Sequence, residues 1–445
     1  MRFRAAAVAV LVVGAFARTL HAGNLDGYYM GSQAALQAGA VTADATGGAA
    51  VWYNPSGLSE IEGLRLDASA NAFRLSLGAV PDLETTDGDT SVTRLRTVNL
   101  ATVPSSLTLT RRFGDVGVGI GVFVPAMDST NLRSRIRGTL ADEGASELGV
   151  DSQTMRSDYY VGPGFGWRVS PALNLGASLL VLYRSELSTS LVEASVAFDD
   201  GSPVLALVEH QTDDWQQIGV QGVLGLKLHP GRHWASGITL RLPVVRLYQM
   251  RQTVSVYQHV LAGDVEKSSD FDQLDGFETL VMAPARVHLG LSRRLQLWHF
   301  ALEANYQFPL SNDELRQDMV PVANVRAGVR RELSRSFRLG GGLYTDRSPI
   351  DARAFAERAL DYYGVTFGGE LATPYETVQK RSQTFPEPRP LVFATAVALS
   401  YAVGLGDIVR ADVSIDDANA LEVHEAPTRA VAHEIVLHVS STLGE

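Results

Sequence analysis

The chain contains no cysteine, so no disulfide bond can stabilise its fold. It also lacks an excess of positive charge: 38 lysines and arginines face 49 aspartates and glutamates, and the formal net charge of -11 disfavours nucleic-acid binding. No Pro/Ser-rich linker divides its 445 residues into smaller domains. Beyond residue 22 no apolar run is long enough for a membrane-spanning helix; residues 391–406 come nearest, but they are few and include Ser400 and Tyr401. These absences favour one large hydrogen-bonded sheet.

The first 22 residues have the pattern of a removable export signal. Arg2 and Arg4 precede an apolar run over residues 5–17, and the small Ala22 stands before the expected cut. No cysteine follows that cut to carry a lipid anchor. Removal of the signal also removes Arg18, which leaves a still more acidic exported chain.

The connections between strand-like stretches alternate in length. Tight turns are expected at residues 112–115, 170–171, 230–232, 293–295 and 332–336. Long polar segments are expected at residues 80–91, 128–151, 197–211, 254–273, 311–320, 348–389 and 416–428. Short turns at one edge and long loops at the other are typical of a transmembrane antiparallel β-barrel. The sequence therefore predicts an all-β, multi-pass protein in the outer membrane of a Gram-negative bacterium.

The strand-like stretches alternate with the period of two that sends successive side chains to opposite faces. In residues 298–308 one face is apolar and aromatic and the other is mostly polar, as expected for surfaces that face lipid and lumen. In residues 116–124 valine and isoleucine occupy one face of the strand and a row of glycines occupies the other face. Residues 161–169 repeat this arrangement. Rows of glycine weaken a strand, so they indicate that something packs closely against this wall from inside.

Assigning strands to obey the loop alternation gives about fourteen, an even number as closed bacterial barrels require. They are expected to begin near Leu64, Val98, Val116, Thr154, Leu173, Gln216, Ser236, Ala285, Leu297, Val322, Phe337, Leu391, Asp407 and Arg429. Residues 362–371 also look like a strand, but counting them would break the alternation, so they are placed in the long external loop.

Metal and catalytic motifs are not apparent in the sequence. The acidic clusters of the long segments contain no complete Asp-x-Asp-x-Asp-Gly loop, so they predict a solvated surface rather than a calcium site. His229 and His233 flank a tight turn without a third ligand. No Walker lysine motif and no Gly-x-Ser-x-Gly elbow occurs. We therefore expect no metal and no cofactor.

The segment before the first strand is rich in alanine and glycine and leads to Asn-Pro followed by a glycine, a combination that ends helices and makes turns. It resembles the long-chain fatty-acid transporter family of the outer membrane, which also includes transporters of aromatic hydrocarbons. That family has Ala-Asp-Ala, an aromatic residue and Asn-Pro-Ala-Gly-Leu ahead of its first strand. Residues 43–45, Tyr53 and residues 54–58 match it, with Ser56 in place of the usual alanine.

The resemblance implies a barrel over residues 63–445 and an N-terminal hatch over residues 23–62 inside the lumen. It places Asn54, Pro55, Ser56 and Gly57 at the core of the hatch. Such proteins bind a hydrophobic ligand and pass it inward past a hatch that changes shape, or sideways through the wall, without a catalytic residue. Asn54 can bond nearby backbone groups and Pro55 fixes one dihedral angle, so the motif is suited to hold one hatch conformation.

The chain departs from the family at its end, where Leu443-Gly444-Glu445 replaces the usual terminal aromatic residue. Since the insertion machinery recognises that aromatic residue in the family, the departure bears on efficient insertion, with Leu443 as a possible substitute. The Ser56 replacement is conservative in size and is expected to leave the fold intact.

The ligand that the resemblance implies is a hydrophobic molecule, with a long-chain fatty acid first and an aromatic hydrocarbon as the alternative. Each buried methylene contributes about 0.8 kcal/mol, enough to bind a long tail firmly. A carboxylate would need lumen-facing cations, and Arg326, Arg330 and Arg338 fall on the polar faces of their strands. Ion pairs with lumenal acids are the other explanation for these arginines.

Three other functions fit the same strand pattern. A general diffusion porin would have an open aqueous lumen and a plug made by a loop rather than by an Ala/Gly-rich segment. A barrel enzyme acting on lipids would need a cluster such as Ser/His/Asp, and Ser292 and His288 are residues of the right type. A binding or structural barrel that does not transport would keep every feature above.

Overall fold

The structure is a computed structural model that describes residues 28–79, 103–140, 144–197, 205–261, 264–312, 317–350, 358–375, 391–415 and 421–444. The export signal predicted for residues 1–22 and the acidic segment predicted at residues 80–91 lie outside the described residues. No helix in the described part is long and apolar enough to cross a membrane.

The residues before the first strand form short helical turns, and we call residues 28–62 the inner segment. They are α1 (Ser32–Leu36), a 3₁₀ turn (Gly47–Ala49), α2 (Ala50–Tyr53) and a second 3₁₀ turn (Pro55–Glu60). Asn54 ends α2 in an extended conformation, and its side chain accepts a hydrogen bond from the backbone N–H of Ser56. Pro55 stands at the first position of the next turn, where its missing N–H costs nothing.

Nineteen strands follow within the described residues. The first ten are β1 (Leu64–Ala79), β2 (Val103–Phe113), β3 (Val116–Leu140), β4 (Gly144–Ser170), β5 (Leu173–Ala197), β6 (Leu205–Gly231), β7 (Trp234–Arg241), β8 (Val244–Leu261), β9 (Asp264–Gly276) and β10 (Leu280–Ala283). The others are β11 (Arg286–Leu295), β12 (Trp298–Gln307), β13 (Leu310–Asn312), β14 (Gln317–Met319), β15 (Val322–Glu332), β16 (Phe337–Asp346), β17 (Arg358–Tyr375), β18 (Leu391–Ile415) and β19 (Leu421–Gly444).

Seventeen of these strands form one closed antiparallel sheet, because β1 pairs with β2 on one side and with β19 on the other. β7 and β8 both pair with β6, so together they occupy the place of one strand in the wall, with a break at residues 242–243. We call each such place a wall position. β9, β10 and β11 likewise make one position, since β9 and β10 pair with β8 and β11 pairs with β7. The wall therefore has fourteen positions, and the predicted all-β barrel of about fourteen strands is confirmed.

The outer face of the wall is apolar and the inner face polar. Along β12 exposed and buried residues alternate without exception. The exposed set includes Trp298, Phe300, Leu302 and Tyr306. An apolar belt with aromatic residues toward its two ends fits a bilayer. The fold is thus that of a multi-pass outer-membrane barrel, as predicted.

Two strand assignments in the second half of the chain are wrong. Residues 362–371, placed in an external loop, belong to β17, which pairs with β16 on one side and β18 on the other. No separate strand begins at Asp407, because β18 runs unbroken past it. Both errors came from the assumption that short and long connections alternate along the chain. β17 ends and β18 begins at the end of the barrel where the short turns lie, so a long connection falls where only short ones were expected.

Several segments predicted to be long polar loops continue the wall strands instead. β3 and β4 stay paired out to Leu140 and Gly144, and β8 and β9 stay paired out to Leu261 and Asp264. A sheet that extends past the bilayer meets water on both faces, so its strands need no apolar alternation. Because these extensions are polar on both faces, they show no period-two pattern from which strands could be predicted.

Candidate functional site inside the barrel

The inner segment is enclosed by the wall on all sides. The Tyr28 hydroxyl donates to the Met127 carbonyl oxygen in β3 at 2.8 Å, and the Gly31 N–H donates to Ser69 Oγ in β1 at 3.2 Å. On another side, the ring of Tyr29 lies 4.9 Å from that of His438 in β19. α1 also packs against β16, β17 and β18. Contacts with so many wall positions place the segment within the lumen.

Glycines of the wall let the backbone of the inner segment approach closely. A Cβ added at Gly117 would lie 1.8 Å from the Leu58 carbonyl oxygen, and one at Gly176 would lie 2.3 Å from the Pro55 carbonyl carbon. Neither distance is possible for real atoms. Similar approaches occur at wall residues Gly166, Gly225, Gly237, Gly290, Gly328 and Gly340. The prediction that something packs against the glycine rows from inside is confirmed by these contacts.

Asn54 joins two parts of the inner segment to each other and to the wall. Its Nδ2 donates to the Thr42 carbonyl oxygen at 2.7 Å and to the Leu226 carbonyl oxygen of β6 at 3.2 Å. Its Oδ1 accepts from the Ser56 N–H at 3.2 Å and from Ser56 Oγ at 2.6 Å. All four hydrogen-bonding capacities of the amide are therefore used. Ser56, where the related pattern has alanine, adds the last of these bonds.

The Glu303 side chain in β12 binds backbone N–H groups in the middle of the inner segment. Its Oε2 accepts from the N–H groups of Val41 at 3.0 Å and Thr42 at 2.9 Å. Its Oε1 lies 3.1 Å from Nδ1 of His288 in β11. The carboxylate is almost fully buried, and a buried charge is tolerated only with such a set of partners.

Asp44 reaches in the opposite direction, from the inner segment to the wall. Its Oδ1 accepts from Ser292 Oγ at 2.6 Å, and its Oδ2 lies 2.9 Å from Nε2 of His299. Burial acts to raise the pKa of Asp44, but the neighbouring His299 and Ser292 outweigh it and lower the pKa below its usual value. Asp44 therefore stays ionised in the folded barrel.

Glu60 makes a third charged contact, close to the short turns. It accepts from Asn174 Nδ2 at 2.7 Å and from Lys227 Nζ at 2.7 Å, and His229 Nε2 lies 3.1 Å away. Burial acts to raise the pKa of Glu60, yet His229 and the Lys227 ammonium group outweigh it and lower the pKa to about 2. Lys227 Nζ also donates to the Ala45 carbonyl oxygen, so this wall residue binds the segment twice.

An aromatic cluster covers the side of the inner segment that faces the long loops. The ring centroid of Trp52 lies 5.4 Å from that of Phe123 and 5.2 Å from that of Tyr160. The Arg241 guanidinium lies over the Trp52 ring at 4.0 Å and donates to the Trp52 carbonyl oxygen. All three rings are buried, so a hydrophobic molecule would contact this cluster only if the inner segment or the neighbouring side chains moved.

The three arginines proposed from sequence are not equivalent. Arg338 Nη1 donates to Glu370 Oε1 at 2.5 Å, which is the lumenal ion pair that was the alternative explanation. Arg326 is buried and packs against Gly39 of the inner segment. The buried Nε of Arg330 has no hydrogen-bond partner within the described residues. A role as carboxylate contacts stays a prediction for all three.

Ser292 and His288, considered above for a lipid-acting enzyme, bind different carboxylates. Ser292 donates to Asp44, whereas His288 lies beside Glu303. Within the described part of the chain no group of three or more His, Asp or Glu residues is arranged to hold a metal ion.

The wall residues Glu303, His299 and Lys227 were not predicted as partners of the inner segment, and Glu60 was not predicted as a contact from the segment to the wall. A signal for two of them was present, because His299 and Glu303 stand on the lumenal face of the clearest alternating strand. A carboxylate at such a position needs a partner. Nothing in the sequence indicated that the partner would be the backbone at residues 41–42.

Comparison with known proteins supports the fold. No protein-family model and no curated protein matches the chain. Among solved structures, the CymD monoaromatic hydrocarbon channel has a TM-score of 0.59 at 15% identity, covering 95% of this chain and 99% of that chain. The toluene transporter TodX of P. putida gives 0.58 at 15% identity, also covering 95% and 99%. A FadL homologue of Pseudomonas aeruginosa gives 0.57 at 12% identity, with the same coverage. The resemblance to the fatty-acid and hydrocarbon transporter family is thus confirmed at the level of the fold, which this chain shares with these barrels over nearly its whole length.

Proposed function

We propose that the chain is an outer-membrane channel for the uptake of hydrophobic molecules and that its inner segment acts as the hatch. The observation that carries this proposal is the close packing of the inner segment against glycines of several strands around the lumen. A diffusion porin needs a wide aqueous lumen, and a segment packed this closely is unsuited to that. A ligand would pass only when part of the inner segment changes position.

The ligand we propose first is a long-chain fatty acid. Its tail would be received by the aromatic cluster of Trp52, Phe123 and Tyr160, and burial of its methylenes would drive binding. The unpartnered Nε of Arg330 offers a donor for its carboxylate. Arg330 lies near the short turns, because it pairs with Gly340 close to the start of β16. The headgroup would therefore meet Arg330 late in its passage.

An aromatic hydrocarbon is the second candidate. Arg338 already pairs with Glu370, and an uncharged ligand needs no cation. CymD is described as a monoaromatic hydrocarbon channel and TodX as a toluene transporter. The same aromatic cluster would receive a flat ring by stacking.

Uptake in cells that lack their own transporter tests the proposal. Labelled oleate and labelled toluene would be given to cells producing the unaltered chain, Asn54→Ala or the exposed control Ser311→Ala, after outer-membrane insertion has been verified. We expect oleate uptake that falls in Asn54→Ala and not in the control. Toluene uptake alone would replace the fatty acid by the hydrocarbon. An inserted barrel that takes up neither compound would overturn transport.

A further inference from the structure

A group of aromatic and basic residues faces outward at the short-turn end of the barrel, on four neighbouring wall positions. It consists of Trp234 in β7, Arg293 in β11, Trp298 and Phe300 in β12, and Arg331 in β15, and we call it the rim patch. Strand pairing makes it continuous: Trp234 lies opposite Arg293, Arg293 opposite Phe300, and Trp298 opposite Arg331. All five side chains project toward the membrane rather than into the lumen.

Both arginines of the rim patch are stacked on tryptophan rings. The guanidinium carbon of Arg293 lies 4.8 Å from the ring centroid of Trp234, and that of Arg331 lies 4.8 Å from the ring centroid of Trp298. The Trp298 ring is in turn stacked on Phe300, with centroids 6.1 Å apart and planes 17° from parallel. Stacking holds each planar guanidinium in place and leaves its N–H edges available to an acceptor.

The described residues provide neither arginine of the rim patch with an acidic partner. Within the part of the chain that the structure describes, Arg293 and Arg331 form no salt bridge. Glu332 is the one acid in the turns around the patch, and it lies beside Arg338, on the lumenal side. These guanidinium groups at the bilayer surface are therefore available to bind an anion of the membrane itself.

The charge around the rim patch is the opposite of that of the whole chain. The chain has a net charge of -11, yet the adjoining turns add Arg232 and Arg335 to the two arginines of the patch. Short turns of a bacterial barrel lie on the periplasmic side, where the leaflet is built of phospholipid. Such a basic surface attracts the negative headgroups of that leaflet.

We propose that the rim patch binds the phosphate groups of an anionic phospholipid in the leaflet at the short-turn end. Each guanidinium would donate two parallel hydrogen bonds to phosphate oxygens. Two arginines on wall positions separated by one strand suit a headgroup with two phosphates, as in cardiolipin. The tryptophan rings would lie at the level of the headgroups, and the exposed Leu302 and Ile238 farther along the wall would contact the acyl chains.

The test measures lipid binding and does not depend on transport. Purified barrel stripped of lipid would be titrated with cardiolipin or with phosphatidylcholine and examined by native mass spectrometry. Arg293→Gln/Arg331→Gln would be compared with Arg294→Gln, which removes an arginine from the other face of β11. Folding of each variant would be checked by its heat-dependent migration on a gel. Arg293→Lys/Arg331→Lys keeps both charges and serves if the glutamine variant fails to fold.

We expect the unaltered barrel to prefer cardiolipin, and the double glutamine variant to bind it about thirtyfold more weakly, since each arginine near an anionic surface contributes roughly a factor of five. Arg294→Gln should bind as the unaltered chain does. The double lysine variant keeps both charges but loses the stacked, two-pronged guanidinium groups, so it should bind cardiolipin more weakly than the unaltered chain and more tightly than the double glutamine variant. Equal binding of both lipids by the unaltered barrel, or unchanged cardiolipin binding in a folded double glutamine variant, would overturn the proposal.

Discussion

The two faces of the barrel wall obey different rules. In the apolar belt of the outer face, away from the rim patch, the wall strands need only apolar side chains at every second position. On the inner face each position has a particular partner in the inner segment, such as Gly117 against Leu58 or Glu303 against the backbone of Val41. The comparison teaches that outer-face positions tolerate exchange among apolar residues, whereas inner-face positions depend on one particular partner.

Loss of a buried charge on the inner face should have the largest effect. Glu303→Ala leaves His288 and the N–H groups of Val41 and Thr42 without an acceptor, and breaking such a buried set costs about 3 kcal/mol or more. Urea unfolding of the refolded barrel in detergent measures this. The control Glu332→Ala removes an exposed acid near the turns and should change stability by no more than about 0.5 kcal/mol. Equal effects of the two substitutions would contradict the claim that Glu303 stabilises the barrel through its buried partners.

A single methyl group on the inner face should also be costly. The Cβ of Gly176→Ala would overlap the backbone of Pro55, which cannot move as a side chain can, and overpacking of this kind costs about 1–3 kcal/mol. We expect lower stability together with easier proteolysis of the inner segment. Gly231→Ala adds the same methyl group where no atom lies within 4 Å, and it should behave like the unaltered chain.

A charge placed on the outer face tests the requirement for apolar residues there. Leu302 projects into lipid from the middle of β12. Leu302→Arg should destabilise the barrel by about 2 kcal/mol, since the cost of a charge depends on its depth in the bilayer. Leu302→Val should have little effect on the unfolding free energy. If Leu302→Val proved as harmful as Leu302→Arg, the middle of β12 would depend on specific contacts, contrary to the prediction for the apolar belt.

The smallest predicted effect depends on pH. The pKa of Glu60 falls from an ordinary 4.5 to about 2 in the folded barrel, so folding favours its ionised form. Its stabilising effect is full above the unfolded pKa and is lost as the pH falls through the folded pKa, from about 5 toward about 2. Unfolding of Glu60→Gln should therefore vary less with pH over this window than that of the unaltered chain. Glu62→Gln, an exposed control two residues away, should keep the full dependence.

The two faces also differ in how far the sequence predicts them. The outer face follows from alternation, and residues 298–308 were assigned correctly because lipid imposes a period of two on every wall strand. The glycine rows predicted close packing from inside for the same local reason. The strand signal of residues 362–371 in β17 was correct. They were misplaced because the expected alternation of loop lengths was given more weight.

The partners on the inner face could not be predicted, because they lie far apart in the chain. Glu303 binds residues that precede it by about 260 positions, and Lys227 binds Glu60 at a separation of 167. Alternation places such side chains in the lumen, but it does not give their position along the barrel axis or the part of the lumen toward which they point. Asn54 was found through its motif, whereas its bond to the Leu226 carbonyl oxygen required the fold.

The measurement that tests the central claim most directly is uptake with the inner segment locked to the wall. Asp44 and Ser292 are in side-chain contact at 2.6 Å, and the chain has no cysteine of its own, so Asp44→Cys/Ser292→Cys places its only two thiols at this contact. Formation of the disulfide would be verified by thiol titration before uptake is measured. Each single variant serves as a control for the loss of the native contact. We predict that the oxidised double variant takes up neither oleate nor toluene and that a reductant restores uptake to the level of the single variants. Unchanged uptake through the oxidised barrel would show that the inner segment need not move at this contact and would contradict its role as the hatch.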